Sequence, residues 1–160
     1  MLYDSLNDLI LARSNFGGLP VGTRAVCLPD NSYNSSNYFL SVFGRPDSSS
    51  ACECERSQEA SLAQSLHLFN AKNIQEQLAR KDGRAARFAA DKSRDHAAKI
   101  NSLYYQAFAR LPRTEEADVA LAYLNREVVD KEGKPEDKTR ERYEDILWAL
   151  ANTKEFLFNH

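Results

Sequence analysis

A chain of 160 residues lies near the commonest size of a single domain and can bury roughly 70% of its extended surface around one core. With 42% hydrophobic and 28% charged residues pervasive disorder is excluded, and 21 cations against 23 anions give no whole-molecule attraction to nucleic acid or anionic lipid. No run approaches the roughly 20 apolar residues of a membrane-spanning helix, and the start lacks the basic and apolar regions of a secretory signal.

Leu2 to Ile10 already reads as the middle of a folded unit, so a larger parent protein carrying its address upstream is expected. Residues 14–56 hold four of the six glycines, three of the five prolines and the polar run Asp30 to Asn37, which is loop chemistry. Within this stretch Arg24 to Leu28 reads as a short extended segment ended by Pro29, and Asn37 to Phe43 as a helical turn stopped by Gly44.

From Ser57 onward the apolar period is helical. Leu62, Leu66 and Phe69 draw one stripe, and Ile74 and Leu78 face inward after a break at Asn70 and Asn73. A short helix over Arg84 to Ala90 buries Phe88. Ser93 caps the strongest pattern, in which Ala97, Ile100, Leu103, Tyr104, Ala107, Phe108 and Leu111 keep the 3, 4 spacing until Pro112. Thr114 starts the next helix, with anions in its first turn and Ala117, Ala120, Leu121, Leu124 and Val128 inward. A charged connection, Asp130 to Lys138, precedes a helix with Tyr143, Ile146, Leu147 and Leu150 as its stripe and Trp148 off the main line. Asn152 and Thr153 turn the chain into Lys154 to Phe158. The expected fold is mainly α: one domain, 1–160, in which a loop-rich region, 1–56, precedes an irregular helical bundle, 57–160.

Chemistry-bearing residues gather at the junction of these halves, in Cys52-Glu53-Cys54-Glu55-Arg56. Cysteines one residue apart cannot bridge each other without strain, so Cys27 is the only other thiol available to either. Three readings stand: buried small thiols, one disulfide from Cys27 to Cys52 or Cys54, or a thiolate metal or redox site on Cys27, Cys52 and Cys54. Zinc lacks a fourth ligand at short spacing, and no C-x-x-C-H motif attaches a haem, so no cofactor is implied.

The carboxylates Asp30, Glu53 and Glu55 with the guanidiniums Arg24, Arg45 and Arg56 read first as ties holding the loops through charge-assisted hydrogen bonds. Asp30, Arg45, Glu53, Glu55 and Arg56 are also the candidates for a catalytic group, because a carboxylate with an opposing charge can work as general acid or base. No nucleophilic triad, phosphate loop or dinucleotide motif is present. His67 reads as a hydrogen-bonded, partly buried imidazole, His96 as exposed and His160 as the chain end. Arg80, Lys81, Arg84, Arg87, Lys92 and Arg94 are interrupted by Asp82, Asp91 and Asp95, and read as a solvated helical face rather than a nucleic-acid patch.

Three strings carry a resemblance: Leu28 to Asn31 with Tyr38 to Leu40 and Phe43 to Pro46; Cys52 to Arg56 running on through Ser61 to Asn70; and the terminal Trp148 to His160. Together they resemble the C-terminal part of the planctomycete domain-of-unknown-function family 1553, also called the PSD-one domain. The resemblance implies a large, multidomain, exported bacterial protein and a chain that is its C-terminal piece. It transfers no activity, cofactor or catalytic residue. An exported setting would favour a disulfide at Cys27.

The expected function is a non-catalytic structural or interaction module of an extracytoplasmic protein. Its partners would be upstream domains of the parent or another protein, without nucleic acid or direct membrane insertion, and an exposed apolar patch is expected near residues 1–45. The alternatives are part of an active site on a polysaccharide or other polymer, with paired carboxylates about 5–10 Å apart, and the thiolate site.

Overall fold

The computed structural model describes residues 2–29, 72–127 and 137–158. All the regular structure among them is helical: α1 (Leu2–Ile10), a 3-10 turn (Ala25–Cys27), α2 (Lys72–Leu78), α3 (Arg84–Ala90), α4 (His96–Phe108), α5 (Thr114–Leu124), α6 (Thr139–Ala151) and α7 (Lys154–Phe158). No helix in this set is long and apolar enough to cross a membrane.

α6 is the axis of the bundle and touches every other α-helix described. The stripe that spacing assigns to it, Tyr143, Ile146, Leu147 and Leu150, is buried throughout. Tyr143 meets the edge of Phe88 with ring centroids 5.6 Å apart, which fixes α3 against α6. Ile74 and Leu78 from α2, Ile100, Leu103 and Ala107 from α4, and Leu6, Leu9 and Ile10 from α1 complete one continuous core. A smaller cluster of Phe16, Ala25 and Leu28 lies under Tyr3 and Leu19.

The expected extended segment after Arg24 is instead the 3-10 turn. Asp4 of α1 is buried, and its carboxylate accepts from two successive backbone amides, Ala25 at 2.6 Å and Val26 at 3.1 Å. Successive amides point the same way in a turn and opposite ways in a strand, so one carboxylate selects the turn.

α4 starts two residues later than expected. The Asp91 carboxylate accepts from both the amide and the hydroxyl of Ser93, which occupies that side chain, and Asp95 caps the helix by accepting from the Ala98 amide at 2.7 Å. The helix ends at Phe108 because Ala109 takes a left-handed conformation, φ 55°. Leu111 falls beyond that stop and is 64% exposed, and Ala97 is exposed in the first turn, so neither belongs to the core.

The cationic run does not form one solvated face. Arg84 is 8% exposed, and its guanidinium donates to the carbonyls of Leu9 at 2.5 Å and Asp8 at 2.8 Å. These are unpaired acceptors of the last turn of α1, whose dipole favours a cation there. Arg94 lies over the Phe88 ring and pairs with Asp91. The helical turn expected over Asn37 to Phe43, the stripe of Leu62, Leu66 and Phe69, and most of the Asp130 to Lys138 connection lie outside the described residues.

Candidate docking groove

α5 carries two apolar stripes. Ala120 and Leu124 are buried and Ala117 and Leu121 half-buried, as the spacing requires, while Val119 and Tyr123, four residues apart, face outward with 71% and 37% of their surface exposed. α6 does the same on its flank, where Trp148 is half-buried beside exposed Ala149. The two flanks bound an open groove of about 790 Å³, with Val119, Ala120 and Tyr123 on one side and Asp145, Trp148 and Ala149 on the other. Ala120 and Ala149 are too short to fill the space between their larger neighbours, which leaves a trough.

Arginines pin the groove at both ends and set its walls antiparallel. At the C-terminus of α5, Arg142 donates to the Leu124 carbonyl at 2.7 Å and also to the Arg126 carbonyl. Nearby the Tyr123 hydroxyl donates to Asp145 across the groove at 2.5 Å. At the other end Arg110 holds Glu116 through two hydrogen bonds, 2.8 and 2.9 Å, and Glu155 of α7 through two more at 2.7 Å. Its guanidinium also lies 5.2 Å from the centre of the Phe108 ring. The Arg110 hydrogen bonds hold the Glu116 carboxyl down at about 2 and lower that of Glu155.

A second polar contact sits within the bundle. His96 is half-buried rather than exposed, with Nδ1 2.7 Å from the Tyr143 hydroxyl. Burial lowers the proton affinity of His96 and pushes the Tyr143 hydroxyl up to about 12. Both groups are neutral at pH 7, which suits a contact inside a core.

Of the residues singled out for chemistry, Asp30, Arg45, Cys52, Glu53, Cys54, Glu55 and Arg56 lie outside the described residues, as do His67 and His160. Cys27 is exposed at the end of the 3-10 turn, and its sulfur is joined to no described residue. Arg24 makes an exposed ion pair with Asp8 of α1 at 2.8 Å, the loop tie expected of it. Among the described residues no three His, Cys, Asp or Glu side chains gather as a metal site.

The family model described as "Protein of unknown function (DUF1553)" matches residues 20–124. The chain belongs to the DUF1553 family. No curated protein and no solved structure matches it. The match covers the Cys52 to Arg56 string and α5, and it stops before α6 and the terminal string Trp148 to His160. One wall of the groove therefore lies in the matched segment and the other lies beyond it.

The groove was missed from the sequence. Its signal is present as Glu115, Val119 and Tyr123 at intervals of four and as Trp148 beside the α6 stripe, but each looks like an isolated departure until the two helices are laid together. In the described part of residues 1–45, where an apolar patch of more than a few hundred Å² was expected, the exposed large apolar side chains are the single residues Val21 and Val26.

Proposed function

We propose that this member of the DUF1553 family is a non-catalytic helical interaction module that docks a protein segment in the groove between α5 and α6. One observation carries the reading: an open trough of about 790 Å³ whose walls expose Val119 and Tyr123 to water, braced at both ends by arginine hydrogen bonds. Exposed apolar surface in a concave site loses its hydration cost when covered, and a braced groove spends little free energy on reorganising. Among the described residues, the charged and titratable groups with the largest perturbations are engaged in structural contacts. Arg110 is taken up by Glu116 and Glu155, and His96 by Tyr143. The partner segment belongs to upstream domains of a parent protein or to a separate protein. The resemblance to exported planctomycete proteins supports an extracytoplasmic setting for that encounter.

A photo-crosslinking residue in place of Val119 tests the reading in the cells that produce the protein, with the same residue in place of exposed Lys92 as control. The expected result is one discrete adduct from position 119 and none from position 92. Equal, unspecific labelling at both positions refutes a docking role.

A further inference from the structure

Building on the docking reading, we propose that the occupant of the groove is an amphipathic helix that carries a cation at each end of its apolar stripe. The charged residues lining the groove are Glu115, Glu116 and Asp145, all anionic. Arg110 saturates Glu116, whereas Glu115 is exposed and forms no ion pair with a described residue. Asp145 accepts the Tyr123 hydroxyl at Oδ2, and no described residue donates to its other oxygen.

Position gives these two acids their meaning. Glu115 lies in the first turn of α5, and Asp145 lies across from Tyr123, eight residues further along α5. That separation corresponds to about 12 Å, or two helical turns. Between the acids the walls present Val119 and Trp148, which offer apolar surface. A partner that crosses this span must bury side chains in the middle and bring positive charge to both ends. A helix does so without exposing unpaired backbone groups to the apolar walls, whereas an extended strand would leave its amides without partners there. Two antiparallel helices also form the cradle into which a third helix packs in bundles.

Trp148 is the sole tryptophan of the chain, so its emission reports occupancy directly. The probe is an alanine-based helical peptide of roughly fifteen residues, free of tryptophan. It carries two arginines about seven positions apart, with leucines about three and four positions after the first, which puts all four on one face. A second peptide replaces both arginines with glutamate, and a third keeps the arginines but replaces the leucines with serine. The full chain is titrated with each peptide at low and high salt.

The expected result is a Trp148 shift with the first peptide and an affinity roughly five- to tenfold above the glutamate version at low salt, narrowing as salt screens the exposed pairs. Glu115→Gln should remove about half of that preference on a logarithmic scale, and the serine peptide should not bind. Equal or tighter binding of the glutamate peptide overturns the charge assignment while leaving the docking reading intact. No Trp148 response to any peptide, with monomeric protein by sedimentation, overturns both. A Trp148 shift on dilution that follows dimer dissociation assigns the groove to a second copy and also overturns the proposal.

Discussion

Arg84 supplies the sharpest test of how the first helix is attached to the bundle. Replacing Arg84 with methionine keeps an unbranched stem beside Phe88 but removes the guanidinium that donates to the Leu9 and Asp8 carbonyls. The Leu9 carbonyl, on a buried residue, then loses its donor, at a cost of about 1–3 kcal/mol. The Asp8 carbonyl is within reach of water and loses a charge-assisted bond worth about 1.5 kcal/mol. Relief of the desolvation that lowers the proton affinity of Arg84 offsets part of both. The net loss is about 2 kcal/mol, or roughly 4–8 °C in melting temperature for a domain of this size. Urea unfolding followed by circular dichroism measures it, and hydrogen exchange locates it. Amides of α1 should exchange faster while those of α4 stay protected. Arg84→Lys should recover less than half, because one ammonium cannot reproduce the fork. A methionine variant within about 0.5 kcal/mol of the parent, with α1 exchange unchanged, refutes the reasoning.

Ala109→Gly should stabilise the protein by about 0.5–1 kcal/mol in the same urea experiment, because relief of left-handed strain at φ 55° exceeds the entropy glycine adds to the unfolded chain. Tyr143→Phe should cost about 1 kcal/mol near pH 7.5 through loss of the contact with His96. Since burial lowers the folded-state proton affinity of His96, its share of stability is complete above about pH 6.5 and declines as pH falls below that value. His96→Gln should therefore flatten the difference between urea midpoints at pH 7.5 and 5.5. The Glu116 carboxyl, held at about 2 by Arg110, contributes stability above pH 4.5 that is lost as pH falls toward 2. Arg110→Met should remove that acid limb from a titration followed by circular dichroism, and an unchanged limb assigns it to other carboxylates.

Much of the bundle was legible from apolar spacing. The short helix Arg84–Ala90 and the final Lys154–Phe158 have the bounds the spacing assigns, and the α6 stripe is buried at every named position. Periodicity works there because the buried residues of each element fall on one face of its helix. It falters where a single distant polar group decides. Asp4 selects the turn at Ala25 from 21 residues away, and no local preference at Arg24 to Leu28 announces that bond. The choice of Asp95 over Ser93 as cap depends on Asp91 engaging Ser93 first, a competition among three good capping residues within five positions. Ala109 stops α4 without glycine, so Leu111 kept the rhythm of a helix that had already ended. Arg84 looked solvated because its acceptors are backbone carbonyls about 75 positions earlier in the chain. For the groove, composition offered no single residue to notice; two flanks that each look ordinary become a feature only when antiparallel packing sets them side by side.

The end of the matched family segment at Leu124 cuts across this architecture. Phe88, Ile100 and Leu103 lie on the matched side of that border, while Tyr143, Ile146 and Leu147, which share their cluster, lie on the far side. A polypeptide severed after Leu124 would keep the recognisable part and lose the keystone, so it should behave as a sticky, partly folded remnant. The border that similarity draws therefore runs through the core that these helices share.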